Sequence, residues 1–231
     1  MQQTYFSKQL VLIGGGHANV QVLRKLCMNE YKGLNVILIS EDYKAIYSGM
    51  TPGYIKKFYT IEDISIDLQR LCFNAGATFI KDKVINLDTE NQKIYLKDNP
   101  SVSFDILSIN SGSISNNRIT NLNNESKIIS VKPISSLIAN LSHIDSLVEN
   151  SSRKKVSIVG GGVAAFELSF ALYERYDGNI SLNIISSPLL AEKNLNISTI
   201  NRLKKIAKNL GINLMYNQVI TINNSEIVLD N

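Results

Sequence analysis

The sequence predicts an α/β protein in which one type of unit occurs twice, and three observations carry that prediction. An apolar strand from Gln9 to Ile13 stops at Gly14-Gly15-Gly16, and a helical pattern follows. A second apolar strand, Val156 to Val159, stops at Gly160-Gly161-Gly162, followed by a helical pattern with Phe166, Leu168, Phe170, Ala171 and Leu172. After each helix comes another apolar run, Asn35–Ile39 and Ser181–Ile185. Both copies therefore read as strand, turn, helix and parallel strand.

A strand, a glycine turn and a helix start make an anion site. The first N–H groups of a helix have no partner within it, and its dipole favours negative charge there. In the first copy Gly14 makes the sharp turn and Gly16 lets a pyrophosphate approach the backbone. Gly15, His17 and Ala18 lie in the same turn and helix start. Ala18, Val22, Leu23, Leu26 and Cys27 fall on one face of the helix that follows. The motif reads G-x-G-x-x-N, because Asn19 stands where a third glycine normally allows close helix–strand packing; a slightly wider approach is expected. The second copy reads G-x-G-x-x-A, with Gly160, Gly162 and Ala165. Glycine turns also join strands to helices for purely structural reasons, but two such units in one chain point to two dinucleotides. The expected fold class is α/β with two Rossmann-like dinucleotide-binding units and a β-hairpin insertion.

Composition bounds the function. The 231 residues are 44% hydrophobic and 19% charged, with a net charge of +4, the profile of an ordinary globular protein. The basic residues are dispersed, and Arg153-Lys154-Lys155 reads as a solvated approach to a strand, so no nucleic-acid partner is expected. Cys27 and Cys72 each fall in an amphipathic helical pattern and read as buried structural thiols. With no C-x-x-C or C-x-x-x-x-C pair, a redox-active disulfide of that local type is absent. No metal-ligand spacing is present. No charged-then-apolar leader and no membrane-length apolar run occur, so a cytoplasmic protein with at most peripheral membrane contact is expected.

The remaining elements follow in order. The strand Asn35–Ile39 ends at Ser40-Glu41-Asp42, and Glu41 is the candidate acceptor for ribose hydroxyls, unless Glu41 and Asp42 simply begin a loop. Lys44 to Tyr54 is too rich in Gly and Pro for a regular element and reads as a buried loop that packs on a ligand or covers the sheet edge. Ile61 to Asn74 reads as a helix burying Leu68, Leu71 and Cys72, with Gly76 as its C-cap and Thr78-Phe79-Ile80 as a returning strand. Val84–Leu87 and Lys93–Leu96 flank Asp88-Thr89-Glu90-Asn91 as a hairpin. Phe104–Ile109 reads as a buried strand closing on Asn110-Ser111-Gly112-Ser113. Asn116 to Asn124 is a polar loop, and Leu137 to Val148 is a helical crossing. Ile200 to Leu210 is an amphipathic helix ended by Gly211, and strands follow at 212–216, 219–222 and 226–229. The expected domains are residues 1–125, a crossover over 126–152, and 153–231.

These motifs, in this order, resemble the pyridine nucleotide–disulfide oxidoreductase superfamily of two-dinucleotide flavoproteins. Gly-Gly-Gly-His-Ala at 14–18, Tyr47-Ser48-Gly49-Met50-Thr51-Pro52-Gly53 and Ile66-Asp67-Leu68 are similar to the branch found alone or fused ahead of selenide,water dikinase. Type II NADH dehydrogenases and sulfide:quinone reductases are more distant look-alikes. The resemblance implies FAD on the first turn and NAD(P)H on the second. It places Gly14, Gly16 and His17 at the FAD pyrophosphate and Glu41 near the ribose. Ser48, Gly49 and Pro52 would lie near the flavin, with Gly112 approaching FAD from the returning strand. Gly160, Gly162 and Ala165 would hold the nicotinamide cofactor's pyrophosphate. Glu167 matches an acid that lies near the nicotinamide, or is simply an exposed helix glutamate.

Two departures stand out. Ile185-Ser186-Ser187 lacks the acid that would repel a 2′-phosphate, and no Arg follows closely, so NADH and NADPH both remain open. The chain closes at Asn231 inside the second unit, where the family returns to the first domain. That implies a truncated or split product or a fragment, with room for a second chain supplying the rest. The resulting expectation is an FAD-dependent NAD(P)H oxidoreductase that needs no catalytic acid or base for its first step. Without a cysteine pair, a quinone or another small-molecule electron acceptor is expected. The competing expectation is a non-catalytic dinucleotide-binding module, a split-enzyme subunit or an inactive remnant.

Overall fold

The computed structural model describes residues 8–29, 31–114, 128–149, 154–186, 195–216, 219–223 and 226–229. Ser187, Arg153 and the polar stretch 116–124 lie outside them. The chain forms two compact units, Met1–Tyr47 with Glu62–Ser113, and Ser48–Ile61 with Ile114–Asn231.

In the first unit the elements are β1 (Lys8–Ile13), α1 (His17–Met28), β2 (Leu34–Ser40) and β3 (Lys44–Ile46). After Glu62 come β4 (Ser65–Asp67), α3 (Leu68–Asn74), β5 (Thr78–Lys81), β6 (Val84–Asp88), β7 (Lys93–Leu96), β8 (Val102–Ser103) and β9 (Ile106–Ile109). The stretch between β3 and β4 carries α2 (Thr51–Ile55), which belongs to the second unit. The sheet order is β5-β2-β1-β9, all parallel. Alternation along β1 and β2 sends side chains to two cores. Leu12, Val36 and Leu38 pack with Val20 and Leu23 of α1 and with Leu68 and Cys72 of α3. Val11, Ile13, Ile37 and Ile39 pack on Ile94 and Leu96 of the antiparallel insertion β6-β7-β8. The unit is thus helices, parallel sheet and hairpin in three layers, and every C-terminal strand end reaches one edge of that sheet.

Several expectations need correction. Residues 61–67 are not helical. Asp67 accepts a hydrogen bond from Arg70 N at 2.9 Å as N-cap, so α3 starts at Leu68 and the preceding residues pair with β3. Lys44–Tyr54 is not an irregular loop: β3, a 3₁₀ turn at Ser48–Met50 and α2 fill it, because Pro52 in the first turn of α2 needs no hydrogen-bonded N–H there. The last strand before residue 110 spans Ile106–Ile109, shorter than expected. Asp105 falls outside it and instead accepts from Gln9 N at 2.6 Å. Among the described residues β9 is a sheet edge, and Ile106 and Ile109 are exposed rather than buried. Cys72 is buried, but Cys27 is exposed, as is Ala18, because α1 turns Asn19, Val20 and Leu23 inward instead. Gly76 does take the left-handed conformation after α3, at φ +64°, with Ala77 N bonded to Cys72 O at 2.9 Å.

The second unit contains α2, α4 (Ile134–Glu149), β10 (Lys154–Val159), α5 (Val163–Arg175), β11 (Ile180–Ile185), α6 (Ile197–Asn209), β12 (Asn213–Met215), β13 (Val219–Asn223) and β14 (Glu226–Leu229). Strands β10-β11-β12 form a parallel sheet, and β13 and β14 an antiparallel pair. Leu182 and Ile184 of the sheet pack with Phe166, Leu168 and Leu172 of α5, with Leu137 and Leu141 of α4, and with Ile55 of α2. A polar row crosses the three strands: Asn213 donates to Asn183 Oδ1 at 3.0 Å, and Asn183 donates to Ser157 Oγ at 3.1 Å. No helix among the described residues is long and apolar enough to cross a membrane.

Candidate functional site

The first turn leaves β1 at Ile13 and reaches α1 within three residues. Gly14 has φ +86°, a left-handed conformation that favours glycine. Its N–H donates to Ile39 O of β2 at 2.8 Å. The end of β9 closes the other side. Asn110 N donates to Ile13 O at 2.8 Å, and Asn110 O accepts from Gly16 N at 3.0 Å. The Asn110 side-chain oxygen accepts from Ala18 N at 2.9 Å, capping one of the free donors of the α1 start.

All three glycines are required by packing inside the unit. A Cβ on Gly14 or Gly16 would meet Asn110 or Ser111 atoms, and one on Gly15 would meet Leu68 Cδ1 at 2.5 Å. The backbone N–H groups of Gly15 and His17 find no acceptor among the described residues. With no acidic residue in the first turn of α1, these donors suit an anion such as a pyrophosphate. His17 is exposed, its ring 5.4 Å from that of Tyr47.

Asn19 of α1 faces the ends of β1 and β9. It is fully buried, and its Nδ2 donates to Ile13 O at 3.0 Å and to Gly14 O at 2.8 Å. Its Oδ1 accepts from Ser108 Oγ at 2.7 Å. The side chain sews turn, helix and β9 together.

The second turn has the same backbone plan with different surroundings. Gly160 has φ +135° and its N–H donates to Ile185 O of β11 at 2.8 Å. Gly162 is the N-cap of α5, whose first turn also lacks an acid. A Cβ on Gly160 or Gly162 would meet nothing within 4 Å among the described residues. Nothing described inside the unit demands Gly162, and a ligand against the backbone fits that space. Val159 and Val163 flank it as exposed apolar side chains.

The structure therefore brings Gly14, Gly15, Gly16, His17, Ala18 and Gly112 to one sheet edge, Gly112 being exposed at φ +84°. Glu41 follows the end of β2 at the same edge, exposed and 3.7 Å from Lys83 Nζ. Gly160, Gly162 and Ala165 form the second turn, with Ala165 buried and Glu167 exposed on α5. Ser48 and Gly49 are exposed in the 3₁₀ turn and Pro52 lies in the first turn of α2, all in the second unit. Sequence reasoning missed Asn110 and Ser108. The one available signal was a polar residue following a strand that returns beside β1.

Two parallel-sheet units, each with a glycine turn feeding a helix start, define a fold of the Rossmann type. Residues 8–230 match the Pyridine nucleotide-disulphide oxidoreductase family, and the chain belongs to that family. It is 24% identical over 226 residues to Ferroptosis suppressor protein 1 of Xenopus tropicalis, covering 93% of this chain and 54% of that protein. The fold is similar to that of an engineered water-forming NADPH oxidase bound to NADPH, with TM-score 0.77 and 16% identity over 96% of this chain and 50% of that one. It is also similar to sulfide:quinone oxidoreductase of Aquifex aeolicus, with TM-score 0.74 and 17% identity over 97% and 54%. The chain spans about half the length of these relatives.

Proposed function

We propose that this chain serves an FAD-dependent NAD(P)H oxidoreductase, with FAD on the first turn and NAD(P)H on the second. The carrying observation is the pair of turns: free Gly15 and His17 donors at one, and an open backbone cradle at Gly160 and Gly162 at the other. When bound, these cofactors supply hydride transfer from nicotinamide to flavin and onward to a small acceptor such as a quinone. The chain supplies position and electrostatics. Gly14, Gly15, Gly16, His17 and Ala18 hold the FAD pyrophosphate, Glu41 takes the ribose, and Gly112 borders the same edge. Ser48, Gly49 and Pro52 serve the flavin. Gly160, Gly162 and Ala165 seat the second pyrophosphate, and Glu167 serves the nicotinamide.

Residues 1–125 are the FAD-binding part, 126–152 the crossover and 153–231 the NAD(P)-binding part in this reading. The Tyr47–Gly53 stretch supports the branch found alone or fused to selenide,water dikinase. A cytoplasmic setting, with peripheral membrane contact and a second chain as further partners, completes this reading.

The test is the visible spectrum of the purified chain with FAD, before and after adding NADH or NADPH. A flavin band that bleaches with one of them is expected, and it names the nicotinamide cofactor. A protein that stays colourless after incubation with excess FAD and removal of the unbound FAD, and that reduces no dye, overturns the reading and leaves a non-catalytic module.

A further inference from the structure

Two adjacent glycines leave the peptide between them free to flip, because neither residue restricts its φ. The Gly14–Gly15 peptide lies at the first turn, where a flip would aim a carbonyl oxygen instead of an N–H at an anion. One side chain holds that peptide. Asn19 Nδ2 donates to Gly14 O at 2.8 Å and to Ile13 O at 3.0 Å. Both carbonyls can only accept, so the NH₂ of the carboxamide must face them and its oxygen must face the Ser108 hydroxyl, 2.7 Å away. In a trans peptide C=O and N–H point in opposite directions. Gly14 O is drawn toward Asn19, so Gly15 N–H points away from it, and it has no acceptor among the described residues. The preceding peptide shows the same arrangement with both ends satisfied: Ile13 O faces Asn19, and Gly14 N–H donates to Ile39 O at 2.8 Å.

We propose that Asn19, at the position of the motif's third glycine, is a positioning residue that latches the Gly14–Gly15 peptide and so aims Gly15 N–H at a dinucleotide's pyrophosphate. This rests on the reading of the first turn as a dinucleotide site. Asn19 itself touches no ligand. It acts through the peptide it holds, and Ser108 braces it from β9.

The probes are ADP, which carries a pyrophosphate, and adenosine, which does not. Each is titrated into the chain and read at the assigned Gly15 amide resonance, with Gly161 reporting the second turn separately. Asn19→Gly, which restores the motif, and Asn19→Ala are compared with the unaltered chain. Losing one aligned donor to a charged group weakens ADP at Gly15 about tenfold or more, while adenosine stays within about twofold. A merely structural role would lower stability without changing that ADP-to-adenosine ratio. ADP affinity at Gly15 equal to the unaltered chain, in either folded variant, overturns the proposal. Should neither fold, Ser108→Ala decides on the same terms, with a loss of about threefold expected for ADP alone. If the unaltered chain shows no ADP response at Gly15, the dinucleotide reading of the first turn fails, and the inference falls with it.

Discussion

Replacing Asp145 by Asn removes the counter-charge of a nearly buried guanidinium. Arg175 of α5 keeps only 8% of its side chain exposed. Its Nε donates to Asp145 Oδ1 at 2.8 Å and its Nη2 to Oδ2 at 2.5 Å. Nη1 donates to the Ile55 carbonyl at the end of α2, and the Tyr176 hydroxyl donates to Asp145 Oδ1 at 2.8 Å. One carboxylate of α4 thus holds α5, which in turn holds α2. In the Asn variant an NH₂ faces donors, and the guanidinium keeps its charge with only neutral acceptors, the amide oxygen and the Ile55 carbonyl. Breaking a buried pair costs about 3–5 kcal/mol. Asp145 retains 24% exposure, so the low end, about 3 kcal/mol, is expected. That corresponds to about a hundredfold change in the opening equilibrium of the second unit.

The assay is native-state hydrogen exchange read by mass spectrometry, because the chain has no Trp and two units need not open together. Peptides from α4 and α5 should exchange about a hundredfold faster, while α1 of the first unit is unchanged. Asp145→Leu with Arg175→Met, which buries no charge, should recover most of the loss. Exchange in α4 and α5 within about threefold of the unaltered chain, or a double variant as unstable as the single one, refutes the reasoning. The pH dependence has a definite sign. The Arg175 hydrogen bond holds the Asp145 carboxyl below the usual carboxylate range, against the pull of burial. Such a group stabilises above its unfolded pKa of about 4 and loses that contribution as the pH falls through the folded value. The Asn penalty is therefore full at pH 7 and shrinks below about pH 4.

Four further outcomes follow from particular atoms. The Thr51 hydroxyl is buried without a hydrogen-bond partner among the described residues, so Thr51→Val should stabilise the second unit by about 1–2 kcal/mol in the same exchange assay; no gain would mean the hydroxyl is satisfied in solution. Gly16→Ala sets a Cβ against Asn110 and should cost about 1–3 kcal/mol. Gly162→Ala meets nothing within 4 Å, so it should leave stability within about 0.5 kcal/mol and weaken NADH or NADPH by about tenfold, read by fluorescence titration. Burial, assisted by the nearby Cys27, pushes the Cys72 thiol up to about 12. Iodoacetamide at about pH 8 should therefore alkylate exposed Cys27 and spare Cys72, and equal rates would contradict that burial.

Much of the fold was legible in the residues because it rests on local periodicity. The runs Gln9–Ile13 and Val156–Val159 are mostly apolar, and each ends in glycines before a 3.6-residue pattern, the order of a strand feeding a helix. The hairpin around Asp88–Asn91 and the glycine stops at Gly76 and Gly211 are equally local, since a turn or a left-handed cap is decided within a few residues. The two turns, and so most of the candidate site, came from the same short-range signals.

What the residues alone left undecided depends on neighbours distant in sequence. Whether residues 61–67 joined α3 turned on pairing with β3 and on the Asp67 cap, which outweighed an apolar pattern compatible with a helix. Cys27 and Cys72 have similar sequence surroundings, yet only Cys72 faces the sheet. Asn19 reads in the sequence as a flaw in a glycine motif. In the folded unit it is a latch, because Ser108, 89 residues away, meets its oxygen. Asn110 likewise reaches Ala18 across 92 residues. Periodicity and glycine placement mark most strands, turns and helices along the chain. Which polar side chains satisfy which backbone groups is settled by packing, because buried donors and acceptors pair with whatever the assembled strands bring beside them.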